Sequence, residues 1–254
     1  MFAIIMSLCL SASDDPKKNQ PDLDKIVASL KAKDAKVRLR AIGELKALGE
    51  KANSATSALC LSLLDPSQMV QQATLEAIEK VAPPLYKPLV SIVIDKSSKG
   101  WNELAAMKQD AEPVVGYAVA YLKQDAATES ASIAAIVFIG ETETKDEAAI
   151  KALMEWAVHP NVQPKFKCTF MTTLAKLGKN DDVKRRIYPV FKTNIEPRDP
   201  RQRDLVVVQD AIRFITTYRG DAKDALPTLK KLKLSTNEIV RDLAGKAVDS
   251  IEGK

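Results

Sequence analysis

Side chains suited to catalysis or metal binding are few in this 254-residue chain. The single histidine, His159, precedes a proline and has no histidine, cysteine or carboxylate cluster around it at metal-ligand spacing. It also lacks an evident serine or cysteine partner for nucleophilic catalysis, and the chain contains no glycine-rich phosphate loop. The sequence therefore predicts no catalytic residue, no metal and no cofactor, and we expect a protein that is not an enzyme.

Basic side chains are concentrated in the second half of the chain. From Asn161 onward there are 20 Lys and Arg against 12 Asp and Glu, whereas the whole chain has 38 against 33. Two basic clusters fall at predicted turns, one formed by Arg198, Arg201 and Arg203, and the other by Lys230, Lys231 and Lys233. These residues could form an electrostatic docking edge for an acidic partner. The alternative is that they are solvated side chains near helix C-termini, where positive charge suits the helix dipole.

The elements that position these residues are predicted by a pattern that recurs every 30 to 40 residues. Apolar residues stand at i, i+4, i+5, i+8 and usually i+11, first from Val37 to Leu48, again from Phe166 to Leu177, and last from Val240. Such spacing is typical of one buried face of a helix. A repeat of this length is typical of stacked helix pairs that share one continuous core.

We predict seven helix pairs between residues 22 and 252, separated by short turns, with no strands. The first members run over about 22–32, 53–65, 85–95, 111–124, 145–158, 181–195 and 222–233. The second members run over about 35–49, 67–82, 98–109, 127–140, 163–178, 201–219 and 237–252. In the fourth pair we place the start of the apolar pattern at Thr128. The third pair, around Trp101, fits the pattern least well.

The first pair resembles a HEAT repeat. It has Ile26 and Leu30 in the first helix, Asp34 in the turn, and Val37-Arg38 at the start of the second helix. The resemblance extends over nearly all of residues 22–252, and it implies an all-α, right-handed α-solenoid of about seven antiparallel pairs. It also implies a ladder between turn Asp residues and the Arg after Val; Arg38 and Arg241 match that position, but the other pairs do not.

The resemblance implies that second helices line a concave surface. Exposed positions there would be i+2, i+3 and i+6 of the pattern. The candidate interaction residues are Arg40, Gln72, Ala131, Ala134, Thr169, Thr172, Arg213 and Lys246. The small residues in the middle of this strip could accept a helix or an extended peptide, or could simply allow tight curvature.

Some HEAT-like proteins are DNA glycosylases that hold a damaged base between aromatic residues and a carboxylate in a basic groove. Here Trp101 and Trp156 lie in a different part of the chain from the basic clusters. This separation favours a protein that is not an enzyme.

Residues 1–13 are apolar and end in small residues, which is typical of a signal peptide, although a basic n-region is missing. Residues 14–21 read as a polar linker, and 22–254 as the solenoid domain. We expect an exported, periplasmic or secreted monomer, with a cytoplasmic protein as the alternative. Cys60 and Cys168 lie about three pairs apart, roughly 30 Å at the spacing of packed helices, beyond disulfide reach.

The sequence thus predicts a HEAT-repeat scaffold that binds another protein. No apolar run is long enough to cross a bilayer. The alternative function is binding of nucleic acid or another polyanion by the basic C-terminal half, which would weaken steeply with salt.

Overall fold

The computed structural model describes residues 22–124, 128–178, 181–196 and 204–253, and within these ranges the chain is all-helical, with no strand. The predicted signal peptide and linker lie outside the described residues, as do Arg198, Arg201 and Arg203. Of the described helices, none has both the length and the apolar character needed to cross a membrane.

The helices follow the predicted alternation closely. In chain order they are α1 Leu23–Ser29, α2 Ala35–Leu48, α3 Thr56–Ser62, α4 Gln68–Val81, α5 Pro83–Val93, α6 Ser98–Met107, α7 Val115–Tyr121, α8 Glu129–Glu141, α9 Glu147–Val158, α10 Pro164–Leu177, α11 Asp181–Ile195, α12 Leu205–Thr216, α13 Leu226–Leu232 and α14 Glu238–Glu252. Many begin at a polar cap: Asp34, Asp146 and Asn237 each accept a hydrogen bond from a backbone N–H of the first turn.

Short 3₁₀ segments lead into α3, α7 and α13, a feature that the sequence pattern does not predict. They span Gly49–Ala55, Lys108–Val114 and Arg219–Ala225. Each opens on a residue with positive φ, between 49° and 55°. Glycine adopts this conformation without strain, whereas lysine and arginine do so at a cost. The recurrence shows that the same turn geometry returns in different parts of the chain.

Alternate helices pack against one another along the chain. α2 packs on α4, and from α6 onward α8, α10, α12 and α14 each pack on the preceding even-numbered helix. On the other side α7 contacts α9, and α9 contacts α11. The buried apolar residues form one cluster from Ile26 to Ile251. Burial of this continuous core is the main stabilising contribution to the fold.

The third predicted pair departs from this order. α5 packs on α4 and on α6, while α3 contacts α7 directly. α5 therefore does not separate α3 from α7 as a first helix of a regular pair would. α5 and α6 approach so closely that a Cβ at Gly100 would overlap the carbonyl oxygen of Pro88. Only glycine fits at this crossing.

Trp101 fills the space beside this crossing and is completely buried. Its ring stacks on Tyr117 at a centroid distance of 5.7 Å and lies 5.2 Å from Tyr121 and 5.6 Å from Phe138. The indole Nε1 makes no hydrogen bond of good geometry with a described residue. Burial raises the pKa of the Tyr121 hydroxyl, and the nearby Trp101 lowers it by a smaller amount. We call Trp101, Tyr117, Tyr121 and Phe138 the aromatic junction.

The register predicted for α8 is wrong. Its buried residues include Ala131, Ala135, Ile136 and Ile139, so the pattern starts at Ala131 and not at Thr128. Ala131 and Ala134, predicted to line an exposed strip, are both buried. The physical reason is that α8 is apolar on nearly all sides, because α6, α7 and α10 surround it. In a helix without a polar face, the spacing of the apolar residues does not show which face is buried.

The two described cysteines are free thiols, as predicted, and Cys60 is fully buried. Burial raises the pKa of Cys60 to about 12. Burial, with a contribution from Asp210, also raises the pKa of Cys168 to about 12. Neither thiol ionises near neutral pH, so both behave as packing residues.

Candidate functional site

The predicted concave strip does not form one continuous surface. Arg40, Gln72, Arg213 and Lys246 are exposed, as expected. Thr169 is half-buried and Thr172 is exposed, but each hydroxyl donates to a carbonyl one turn earlier in α10. With Ala131 and Ala134 buried, the middle of the strip offers no small, smooth groove.

A groove does occur at the N-terminal end of this face, where α2, α4 and the end of α5 meet. It has a volume of about 760 Å³, and its lining includes Leu39, Met69, Gln72 and Ile94. Met69 is 70% exposed and Ile94 is 57% exposed. Exposure of large apolar side chains to water is unfavourable, and burial of these side chains against a partner would lower the free energy. We call this feature the α4–α5 groove.

The departure of α5 from the regular order forms the groove. Because α5 packs directly on α4, its last residue, Val93, and the following residue, Ile94, lie beside the exposed face of α4. The chain then turns through Lys96, which has a positive φ of 52°. Near the other wall, Lys46 on α2 donates to Glu76 on α4 at 2.8 Å. The groove is thus an apolar floor with a polar rim.

Of the two basic clusters predicted to form a docking edge, only the second lies within the described residues. Lys230 forms an ion pair with Glu252, with Nζ 2.8 Å from Oε1. Lys231 and Lys233 are exposed, and neither forms an ion pair with a described carboxylate. Arg198, Arg201 and Arg203 lie outside the described residues.

Other cations of the C-terminal half are engaged with neighbouring helices. Arg186 on α11 donates from both guanidinium NH₂ groups to Glu147 on α9, with Nη1 2.8 Å from Oε1. Lys192 donates to Asp224 at 2.8 Å, and Tyr188 donates to the same carboxylate. Burial raises the pKa of Asp224, but the bonds from Lys192 and Tyr188 outweigh it and hold the pKa below its usual value. These charges link helices and are less available to a polyanion.

A smaller polar cleft of about 260 Å³ lies between α11 and the turn after α12. The Tyr218 hydroxyl donates to the carbonyl of Lys184 at 2.8 Å, and the Lys184 ammonium lies 5.0 Å from the Tyr218 ring centre. Tyr218 and Lys184 therefore interact with each other within the cleft. His159 is exposed, and its Nδ1 accepts from the N–H of Asn161 at 3.3 Å. Within the described ranges no group of three His, Cys, Asp or Glu is arranged to hold a metal ion.

The apolar surface residues were missed by the sequence analysis. Met69, Val206 and Ile239 each stand immediately before the first buried apolar residue of an even-numbered helix, at its second position. Lys36, at the equivalent place in α2, is exposed. A comparison of this one position between repeats would have revealed three apolar residues where the first pair has lysine.

The comparisons with known proteins yield structural likeness alone. Neither family models nor curated protein sequences gave a match. Two engineered proteins of known structure are similar with TM-scores of 0.43 and 0.44 and identities of 17% and 18%; the likeness covers 92% of this chain and 98% and 100% of theirs. Human deoxyhypusine hydroxylase, solved with glycerol, is similar with a TM-score of 0.41 and 14% identity, over 91% of this chain and 96% of that protein.

The last comparison corrects one expectation. We predicted that the chain is not an enzyme, because its sequence shows no evident catalytic residue and its tryptophans lie apart from the basic clusters. A matched structure is a hydroxylase, so that prediction does not stand. At this degree of likeness the activity of the hydroxylase is not carried over to this chain.

Proposed function

We propose that this protein is a HEAT-like, right-handed α-solenoid of about seven antiparallel helix pairs that binds another protein through the α4–α5 groove. The observation that carries the proposal is the pair of exposed apolar side chains, Met69 and Ile94, on the lining of one groove. Apolar anchors surrounded by a polar rim are typical of the energetic centre of a protein interface.

The rim supports a peptide-like occupant. Gln68 and Gln72 present exposed side-chain amides beside the apolar floor, and amides can donate to and accept from a peptide backbone. A partner helix or extended segment would place two or three apolar side chains over Met69 and Ile94 and leave its polar groups on the rim. Gln72, predicted as an interaction residue, lines this site.

The alternative, polyanion binding, has less support. Arg186, Lys192 and Lys230 each form an ion pair with a carboxylate of another helix or of the adjoining 3₁₀ segment. Neutralised cations release few counterions from a nucleic acid.

The test is affinity purification of the full chain from its source cells with partner identification by mass spectrometry. Met69→Glu with Ile94→Glu places two charges on the groove floor, and Leu61→Glu, on the exposed face of α3, serves as the matched control. We expect at least one specific protein to be lost with the groove variant and kept with the control. Recovery that is unchanged by the groove variant would refute the assignment, and capture of nucleic acid alone would favour the alternative.

A further inference from the structure

A second apolar surface lies at the opposite end of the chain. Of the exposed large apolar residues in the described ranges, four belong to the last two helix pairs: Leu205, Val206, Leu234 and Ile239. Leu234 is 85% exposed and Ile239 is 53% exposed. We call these four residues, together with Lys231 and Lys233, the C-terminal edge.

Helix packing brings the four residues to one end of the molecule. α12 and α14 pack side by side, and their last turns meet where the Ser250 hydroxyl donates to the Thr216 carbonyl at 3.5 Å. The two helices therefore run in the same direction, and their first turns also lie together. Leu205 and Val206 open α12, Ile239 is at the start of α14, and Leu234 is in the turn just before α14.

The charges at this edge indicate the chemistry of a complementary partner. Lys231 and Lys233 are exposed and have no described carboxylate as a partner, unlike Lys230, which pairs with Glu252. Lys233 directly precedes Leu234, and Lys231 lies three residues before it. Exposed cations next to an exposed apolar residue are complementary to a segment that carries both carboxylates and apolar side chains. Phosphates alone would leave Leu234 and Ile239 in water.

A flat anionic membrane fits this edge less well than a peptide does. Glu238 and Asp242 are exposed in the first turns of α14, on either side of Ile239 in sequence. A membrane surface that covered Ile239 would bring these carboxylates against anionic headgroups, at an electrostatic cost. A peptide can place its acidic residues at the lysines and avoid Glu238.

We propose that the C-terminal edge is a docking surface for an acidic, apolar segment of a partner protein, separate from the α4–α5 groove. The partner's apolar side chains cover Leu234, Ile239 and Val206, and its carboxylates pair with Lys231 and Lys233. Because the two surfaces share no residue, this proposal stands or fails independently of the groove.

The experiment uses a phage-displayed library of random peptides, about 16 residues long, selected against the full chain. Peptides that bind Leu234→Ser with Ile239→Ser are subtracted, and the survivors are synthesised and measured by fluorescence anisotropy. We expect them to be rich in Asp or Glu and in Leu, Ile or Phe. Binding should fall about tenfold or more in Lys231→Glu with Lys233→Glu, and should be unchanged in Met69→Ser with Ile94→Ser, the matched groove control.

Three outcomes would overturn the proposal. One is a selection that yields no peptide dependent on Leu234 and Ile239. Another is a set of peptides without acidic residues, or with binding indifferent to the two lysines. The third is that the peptides do not bind, whereas phosphatidylglycerol vesicles or single-stranded DNA bind and require Leu234, Ile239, Lys231 and Lys233. Thermal unfolding of each variant confirms that the fold is intact.

Discussion

The aromatic junction and the regularly packed pairs on either side of it hold neighbouring helices together by different means. In the regularly packed pairs, polar side chains reach from one helix to another or to a turn: Arg38 to Asp65, Thr173 to the Ile136 carbonyl, and Arg186 to Glu147. The sequence separations of these contacts are 27, 37 and 39 residues. At the junction, the described contacts among Trp101 and its neighbours are between rings.

The regular alternation of helices can thus be interrupted without loss of the continuous core. A polar link requires a donor and an acceptor at hydrogen-bond distance and with a favourable angle. Aromatic rings bury a large area and pack in several geometries. They can therefore fill the irregular space where α3 meets α7 directly. The same interruption places Ile94 beside α4 and opens the proposed binding groove.

The largest effect is expected at Trp101. Trp101→Ala should lower the free energy of unfolding by about 3–5 kcal/mol, because it removes a fully buried indole and leaves a cavity between rings. Trp101→Phe keeps a ring and removes the Nε1 donor that lacks a good hydrogen bond, so its cost should be much smaller. Urea unfolding followed by circular dichroism measures both. Equal costs for the two variants would show that the ring packing is not what stabilises the junction.

The alternation of helices could be predicted from sequence because it depends on local periodicity. α2 was predicted at 35–49 and spans Ala35–Leu48, and α14 was predicted at 237–252 and spans Glu238–Glu252. Both helices have a clear apolar stripe and a polar cap, Asp34 or Asn237. Where these two signals agree, the boundaries follow from the sequence alone.

What could not be predicted depends on contacts between distant helices. The apolar surface of α8 does not reveal its register, and nothing local in α5 indicates that it packs on α4 and leaves α3 free to contact α7. The register of α8 and the packing of α5 determine which residues are exposed at the candidate site. Ala131 and Ala134 are buried, whereas Met69 and Ile94, which the sequence did not indicate, are exposed and line the groove. Asp65 accepts from the N–H of Ser67 and also receives Arg38 from α2, a contact that no local pattern indicates.

The link between Arg38 and Asp65 is expected to contribute less than the aromatic junction. Arg38 donates from Nε to Asp65 at 2.6 Å and from Nη2 at 2.9 Å, and its Nη1 donates to the carbonyls of Ala32 and Lys33. Asp65→Asn should lower the free energy of unfolding by about 2 kcal/mol at pH 7, because charged hydrogen bonds in a part-buried site are lost. This is less than the cost of Trp101→Ala.

The same link has a defined pH dependence. Burial raises the pKa of Asp65, but hydrogen bonds from Arg38 and from the Ser67 N–H outweigh it and hold the pKa below the ordinary 3.8. A lowered carboxylate pKa stabilises the folded state fully above pH 3.8, and this contribution is lost as pH falls from 3.8 through the lower folded value. Urea unfolding at pH 7 and at steps below pH 4 should show the wild type and Asp65→Asn converging. A constant difference across that range would contradict the assignment.

The smallest effect is expected at the polar link between α8 and α10. The Thr173 hydroxyl is buried and donates to the Ile136 carbonyl at 3.2 Å, and Gly140 approaches the same threonine closely. Thr173→Val keeps the shape of the side chain and removes the donor, so it should cost about 1 kcal/mol. Thr172→Val is the matched control, because that hydroxyl donates within its own helix to Cys168 at 2.9 Å and is exposed. If chemical denaturation finds the two variants equally stable, the inter-helix bond contributes nothing beyond packing. The contrast between the regular pairs and the junction would then depend on the ion pairs of Arg38 and Arg186 and not on this buried bond.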